Sequence, residues 1–174
     1  NDGSRPIHGA AQLGEAKTVL LLLSLRASID AQTHRGNTPC CSAAFHGQAK
    51  VVRLLIMHRA SPDLANQQRM TPLWIAAQEN KPECIAVLAA AKASLEGARR
   101  ESPIGMAAAK GADESVRLLA YLGARLIMRD PDSTATMPVW RRFNDNKGRV
   151  RDPALWQRLV AEGGDEGTPS SLRK

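Results

Sequence analysis

The chain has 174 residues, and 24 Lys+Arg against 17 Asp+Glu give it a formal net charge of +7. Aromatic residues make up 3% of it, which fits thin layers of Ala, Leu and Val better than a thick globular core, and no apolar run approaches the roughly 18 residues that cross a bilayer. No P-loop, G-x-S-x-G, H-E-x-x-H or dinucleotide fingerprint occurs, and the three cysteines are an odd count without the spacing of a disulfide framework.

Four prolines, Pro6, Pro39, Pro72 and Pro103, stand 33, 33 and 31 residues apart, and each opens a near-copy of one pattern. An alanine pair follows each proline: Ala10-Ala11, Ala43-Ala44, Ala76-Ala77 and Ala107-Ala108. Then come Gly14, Gly47, Asn80 and Gly111, and after them the apolar pairs Leu21-Leu22, Leu54-Leu55, Val87-Leu88 and Leu118-Leu119. A fixed period in the thirties marks a solenoid of stacked supersecondary units, in which each unit packs on its neighbours rather than around one centre.

The first unit is entered in mid-turn at Asp2 to Pro6. Either Gln12, Glu15 and Lys17 make it its own cap, or the native chain continues upstream; a longer native chain is the expectation. The second unit shows the local chemistry most clearly. Gly36 supplies a permissive turn, and Thr38 caps a helix that begins at Pro39, where a missing N–H costs nothing. The spacing predicts a first helix to about His46, a stop at Gly47, and a second helix from about Lys50 to His58. Both are shorter than the roughly 12–15 residues at which an isolated helix is even marginal, so neither persists without its neighbours. The small Ala43 and Ala44 let the first helix lie close against adjacent units. Cys40, Cys41 and Cys84 read as small buried hydrophobes in a reducing, intracellular compartment. The third unit begins at Thr71-Pro72, and its Trp74 has the spacing of a packing residue. The fourth begins at Ser102-Pro103 after a connection two residues short, which predicts a stunted loop from Glu96 to Ser102.

A degenerate fifth unit follows, with Met137-Pro138-Val139-Trp140 where the turn recurs and Arg141-Arg142 in place of the alanine pair. A helix is expected again from Asp152-Pro153, with Leu155, Trp156, Leu159 and Val160 apolar before Gly163-Gly164. Two arginines on the inner face accept another unit poorly, so this segment reads as a C-terminal cap. The expected organisation is four repeats over 1–126, the degenerate repeat or cap over 127–163, and a flexible tail over 164–174.

The segments RPIHGAAQLG, GNTPCCSAAFHG, RMTPLWIAAQEN and ESPIGMAAAKG resemble the ankyrin repeat, from about Asp2 to Leu126. The resemblance implies an all-α solenoid of helix-turn-helix units with short β-finger loops. It departs from the family pattern where Arg5 and Ser102 replace Thr, and where Cys41, Trp74 and Gly105 replace the turn histidine that survives as His8. In the family that histidine ties the turn by hydrogen bonding, so the later turns are expected to be looser or to rest on Trp packing. The resemblance also implies a protein–protein interaction module, binding through finger tips and the exposed, concave face of the first helices. Carried over by register, that surface holds His34, Arg35, Asn37, Phe45 and His46 in the second repeat. It holds Gln67, Gln68, Met70, Gln78 and Glu79 in the third, and Arg99, Arg100 and Lys110 in the fourth. Phe45 and Met70 are the expected anchors, as apolar residues at otherwise polar, exposed positions.

A second candidate surface is the basic run Arg141, Arg142, Lys147, Arg149 and Arg151, faced by Asp145. It could meet an acidic protein or lipid surface, or be solvated; nucleic acid is disfavoured because aromatics are not interleaved for base stacking. No set of ligands at metal spacing accompanies the four histidines, so neither a metal nor another cofactor is expected. No catalytic constellation is evident, and the segment reads as a non-enzyme. The partner is expected to be another protein, whether the module is a scaffold or adaptor. Alternatively it is a structural subunit docked into a larger complex through its basic cap, or the regulatory segment of a larger enzyme.

Overall fold

The computed structural model describes residues 2–98 and 102–125, together with the backbone of 127–129 and 136–138. Within them lie α1 (Pro6–Leu13), α2 (Ala16–Ser24), α3 (Pro39–Phe45), α4 (Ala49–Met57), α5 (Pro72–Gln78), α6 (Pro82–Ala90), α7 (Pro103–Lys110), α8 (Asp113–Tyr121), β1 (Ile127–Arg129) and β2 (Thr136–Pro138). The helices come in antiparallel pairs. The first helices, α1, α3, α5 and α7, pack side by side in one layer, and the second helices, α2, α4, α6 and α8, form the other.

Each first helix starts as its sequence dictates. The residue before proline is pushed into extended backbone, and proline's fixed φ then begins the helix. The hydroxyls of Thr38, Thr71 and Ser102 accept hydrogen bonds from the amides of Cys41 (3.2 Å), Trp74 (3.2 Å) and Gly105 (3.3 Å). Arg5 has no oxygen with which to do this. Its own amide donates to Nδ1 of His8 at 3.0 Å, which leaves the ring hydrogen on Nε2. That nitrogen lies 2.9 Å from the Ala31 carbonyl and 3.1 Å from the Asn37 carbonyl, so the buried His8 ties the first helix to the loop ahead of the second repeat.

The first helices end in a left-handed residue, with φ of 77° at Gly14, 74° at Gly47, 51° at Asn80 and 70° at Gly111. Asn80 gives up glycine's freedom but adds a bond. Its Oδ1 accepts from the amide (3.2 Å) and hydroxyl (2.9 Å) of Ser115 in the next repeat. The expected helix limits in the second repeat are met to within a residue or so. Its second helix turns Val51, Val52 and Leu55 inward, where they are fully buried.

One continuous apolar cluster runs through the stack. All four alanine pairs are buried in it, along with Val19, Leu55, Cys84, Leu88, Val116 and Leu119. Successive loops are joined as well, His34 N–H to Asp2 O at 2.9 Å and Gln67 N–H to Arg35 O at 3.1 Å. A further ladder runs through the same connections between repeats. Asp30 accepts from the Ser61 amide at 3.2 Å, Asp63 from Ser94 at 2.9 Å, and Glu96 from Arg125 at 3.1 Å. After α8, β1 and β2 pair antiparallel with Ile127 opposite Pro138. Met137 and Pro138, expected at the turn of the fifth unit, thus close a strand. That unit from Val139 onward, including Trp140, Trp156 and the tail, lies outside the described residues.

Candidate binding surface

The expected surface residues fall into two rows at opposite ends of the first-helix layer. The loop residues precede each first helix, whereas Phe45, His46, Gln78, Glu79 and Lys110 sit in or just past its last turn. Six residues of helix separate Pro39 from Phe45, about 9 Å along the axis.

In the loop row, His34 and Arg35 are exposed in one repeat and Gln67 and Gln68 in the next. The Gln67 amide on the Arg35 carbonyl sets the two tips shoulder to shoulder. Asn37 and Met70 do not share this exposure. Asn37 is half-buried, and its Oδ1 accepts from Nδ2 of the buried Asn66 at 2.7 Å. Asn66 in turn accepts the amides of Gln68 and Met70, each at 3.0 Å, through its Oδ1. Asn37 therefore braces one loop on the next. Met70, expected as an exposed anchor, is half-buried against Cys41, Trp74 and Ile75, because the large indole in the histidine position fills the space beneath the loop.

In the helix-end row, Phe45 is 46% exposed, and its ring lies 5.0 Å from that of the exposed His46, tilted by 58°. Gln78 and Glu79 are half-buried, Nε2 of the first donating to Oε1 of the second at 2.7 Å. Lys110 is exposed. Arg99 and Arg100, with the rest of the shortened loop through Glu101, lie outside the described residues. So do Arg141, Arg142, Lys147, Arg149 and Arg151.

Two residues of this side escaped sequence reasoning. Ile75 and Met106 stand three positions past their prolines and complete the Cys41–Trp74–Met70 cluster. The signal was present as a gradient along the repeats, Gly9, Ser42, Ile75, Met106, from small to large. Trp74 is buried at 2% exposure, as expected of a packing residue. A Cβ on Gly97 would lie 3.8 Å from its Cδ1, so the indole also reaches the base of the next loop.

Burial pushes the thiols of Cys40 and Cys41 up, and that of Cys84 to about 11. All three are buried in the apolar packing of the stack. Among the described residues no group of three or more His, Cys, Asp and Glu is placed to hold a metal ion, and no helix is long and apolar enough to cross a membrane.

Paired helices in two layers, joined by aligned loops, define an α-solenoid. Residues 1–66 and 41–130 match a family model described as ankyrin repeats (3 copies). Those matches cover well over half of the chain, and the protein belongs to the ankyrin-repeat family. No curated protein matches it. Ankyrin repeats are in general protein–protein interaction modules, and the family is typically non-catalytic.

Proposed function

We propose that this ankyrin domain is a scaffold or adaptor segment that holds another protein along its finger side. The observation that carries this reading is the alignment of the exposed tips His34-Arg35 and Gln67-Gln68 by a backbone hydrogen bond of 3.1 Å. Such a row is preorganised, so a partner need not order it on binding. Phe45 supplies apolar area at the opposite end of the first helices, at a position that holds Gln12, Gln78 and Ala109 in the other repeats. We further propose residues 127–163 as the cap of the stack.

Capture from native extract tests this, with bound protein identified by mass spectrometry. The wild-type chain is compared with His34→Ala/Arg35→Ala/Phe45→Ala, whose side chains are solvent-facing and whose helical circular dichroism should be unchanged. The triple variant is expected to lose the bound protein. Capture of the same protein in the same yield would defeat the reading. Repeating the capture at high salt shows how far basic residues contribute.

A further inference from the structure

The second-helix layer carries a charge and size pattern that solvation does not explain. At the second residue of α2, α4, α6 and α8 stand Lys17, Lys50, Glu83 and Glu114, all exposed. The order along the stack is two cations, then two anions. Among the described residues the side chains of these four make no hydrogen bond or ion pair. A lysine in a first turn also opposes the helix dipole, so helix stability does not account for Lys17 and Lys50.

The last position of these helices alternates in size: Ser24, Met57, Ala90, Tyr121. Met57 is 75% and Tyr121 81% exposed, the two most exposed large apolar residues among those described. Between α4 and α6 lies a hollow of about 490 Å³, walled by Arg53, Ile56 and Met57 on the α4 side and by Ala86, Val87 and Ala90 on the α6 side. Glu83 is the single charged residue of α6, whose outward positions are alanine. Beyond its first turn the exposed face of α6 is therefore apolar, and an apolar helix face is normally covered.

We propose that this layer is an interface with a second copy of the same chain. A two-fold axis parallel to the helices, passing between α4 and α6, reverses the order of the stack in the second copy. It sets α4 opposite α6 and α2 opposite α8, each at equal height. Lys50 then faces Glu83 of the second copy, and Lys17 faces Glu114. Met57 enters the alanine hollow over Ala90, and Tyr121 lies over Ser24. Arg53 faces Ala86 and Arg117 faces Leu20, so no two arginines meet. Each contact occurs twice, as an isologous interface requires. Sliding the second copy along the stack by one helix would oppose Lys50 to Lys50 or Glu83 to Glu83, so the charges admit one register. The finger side stays free for its partner.

Sedimentation and light scattering of the whole chain across a concentration series test this. Lys17→Glu/Lys50→Glu makes the row wholly acidic, and Glu83→Lys/Glu114→Lys makes it wholly basic. All four residues are exposed, so both variants should fold. Each alone should dissociate at least tenfold more readily than the wild type, and an equimolar mixture should form a heterodimer. A wild type that stays monomeric over the series would overturn the proposal. So would charge variants that self-associate as well as the wild type, or that fail to pair when mixed.

Discussion

Gly36→Ala should unfasten one loop from the next. Gly36 has φ 78°, and a Cβ there would meet the Gln67 amide nitrogen at 2.9 Å and the Asn66 Cα at 3.2 Å. Both are backbone atoms, which cannot swing aside. Alanine in the left-handed region costs about 1–2 kcal/mol, and relieving the overlap adds about 1–3 kcal/mol. That relief separates Gln67 N–H from Arg35 O, now 3.1 Å apart. The matched control is Gly14→Ala, with nearly the same φ of 77° but a Cβ that meets the side-chain Oε1 of Gln48, which can rotate away. The backbone strain is common to both, so the excess for Gly36 isolates the contact between loops. Urea unfolding followed by circular dichroism should place Gly14→Ala about 1–2 kcal/mol below the wild type and Gly36→Ala about 2–5 kcal/mol below. Hydrogen exchange at the Gln67 amide should accelerate in Gly36→Ala and stay unchanged in Gly14→Ala. Equal destabilisation of the two variants, with Gln67 still protected, would refute the reasoning.

Trp74→Ala removes a side chain only 2% exposed and should cost about 3–5 kcal/mol in urea unfolding. Thr71→Ala loses the cap on the Trp74 amide and should cost about 1 kcal/mol, with Thr71→Ser retaining most of it. Asp63→Ala removes the acceptor for the Ser94 amide; the cost is about 1 kcal/mol, and Ser94 should exchange faster by NMR. The buried thiols should react with a disulfide reagent at neutral pH far more slowly in the native chain than in urea. Burial raises Cys84 from 9.0 to about 11, so the unfolded chain releases its proton first. Stability should therefore fall as the pH climbs from about 9 towards 11, and less steeply in Cys84→Ala.

The repeat architecture was legible because its signals are local. Proline after Thr or Ser opens a helix, glycine closes one, and an alanine pair permits close packing, whatever lies elsewhere in the chain. What depends on knowing which repeat lies beside which was harder to read. Met70 looks like a surface anchor in its own loop; its burial follows from an indole one turn into α5 and from Met106 a repeat away. Asn37 looks like a recognition group, and its partner is Asn66, 29 residues on. The carboxylate ladder repeats visibly as Asp30, Asp63 and Glu96, 33 residues apart, yet its meaning lies in amides of the following repeats. The row Lys17, Lys50, Glu83, Glu114 reads as ordinary surface charge until the helices that carry it form one layer.

That carboxylate ladder has a direction. In every rung the acceptor belongs to the earlier repeat and the donor amide to the later one. His8 works with the opposite polarity, its Nε2–H in the first repeat donating to carbonyls of the loop that the second repeat grows from. A chain emerging from the ribosome N-terminus first therefore always has the earlier half of the next joint already in place. Each repeat docks onto a finished template as it appears. Refolding from denaturant can begin at any repeat, whereas synthesis has one order, and the rungs point along it. At the fourth repeat the position of Asp30, Asp63 and Glu96 is held by Ile127, which has no carboxylate to offer. The instruction to add another repeat, as this ladder writes it, stops there.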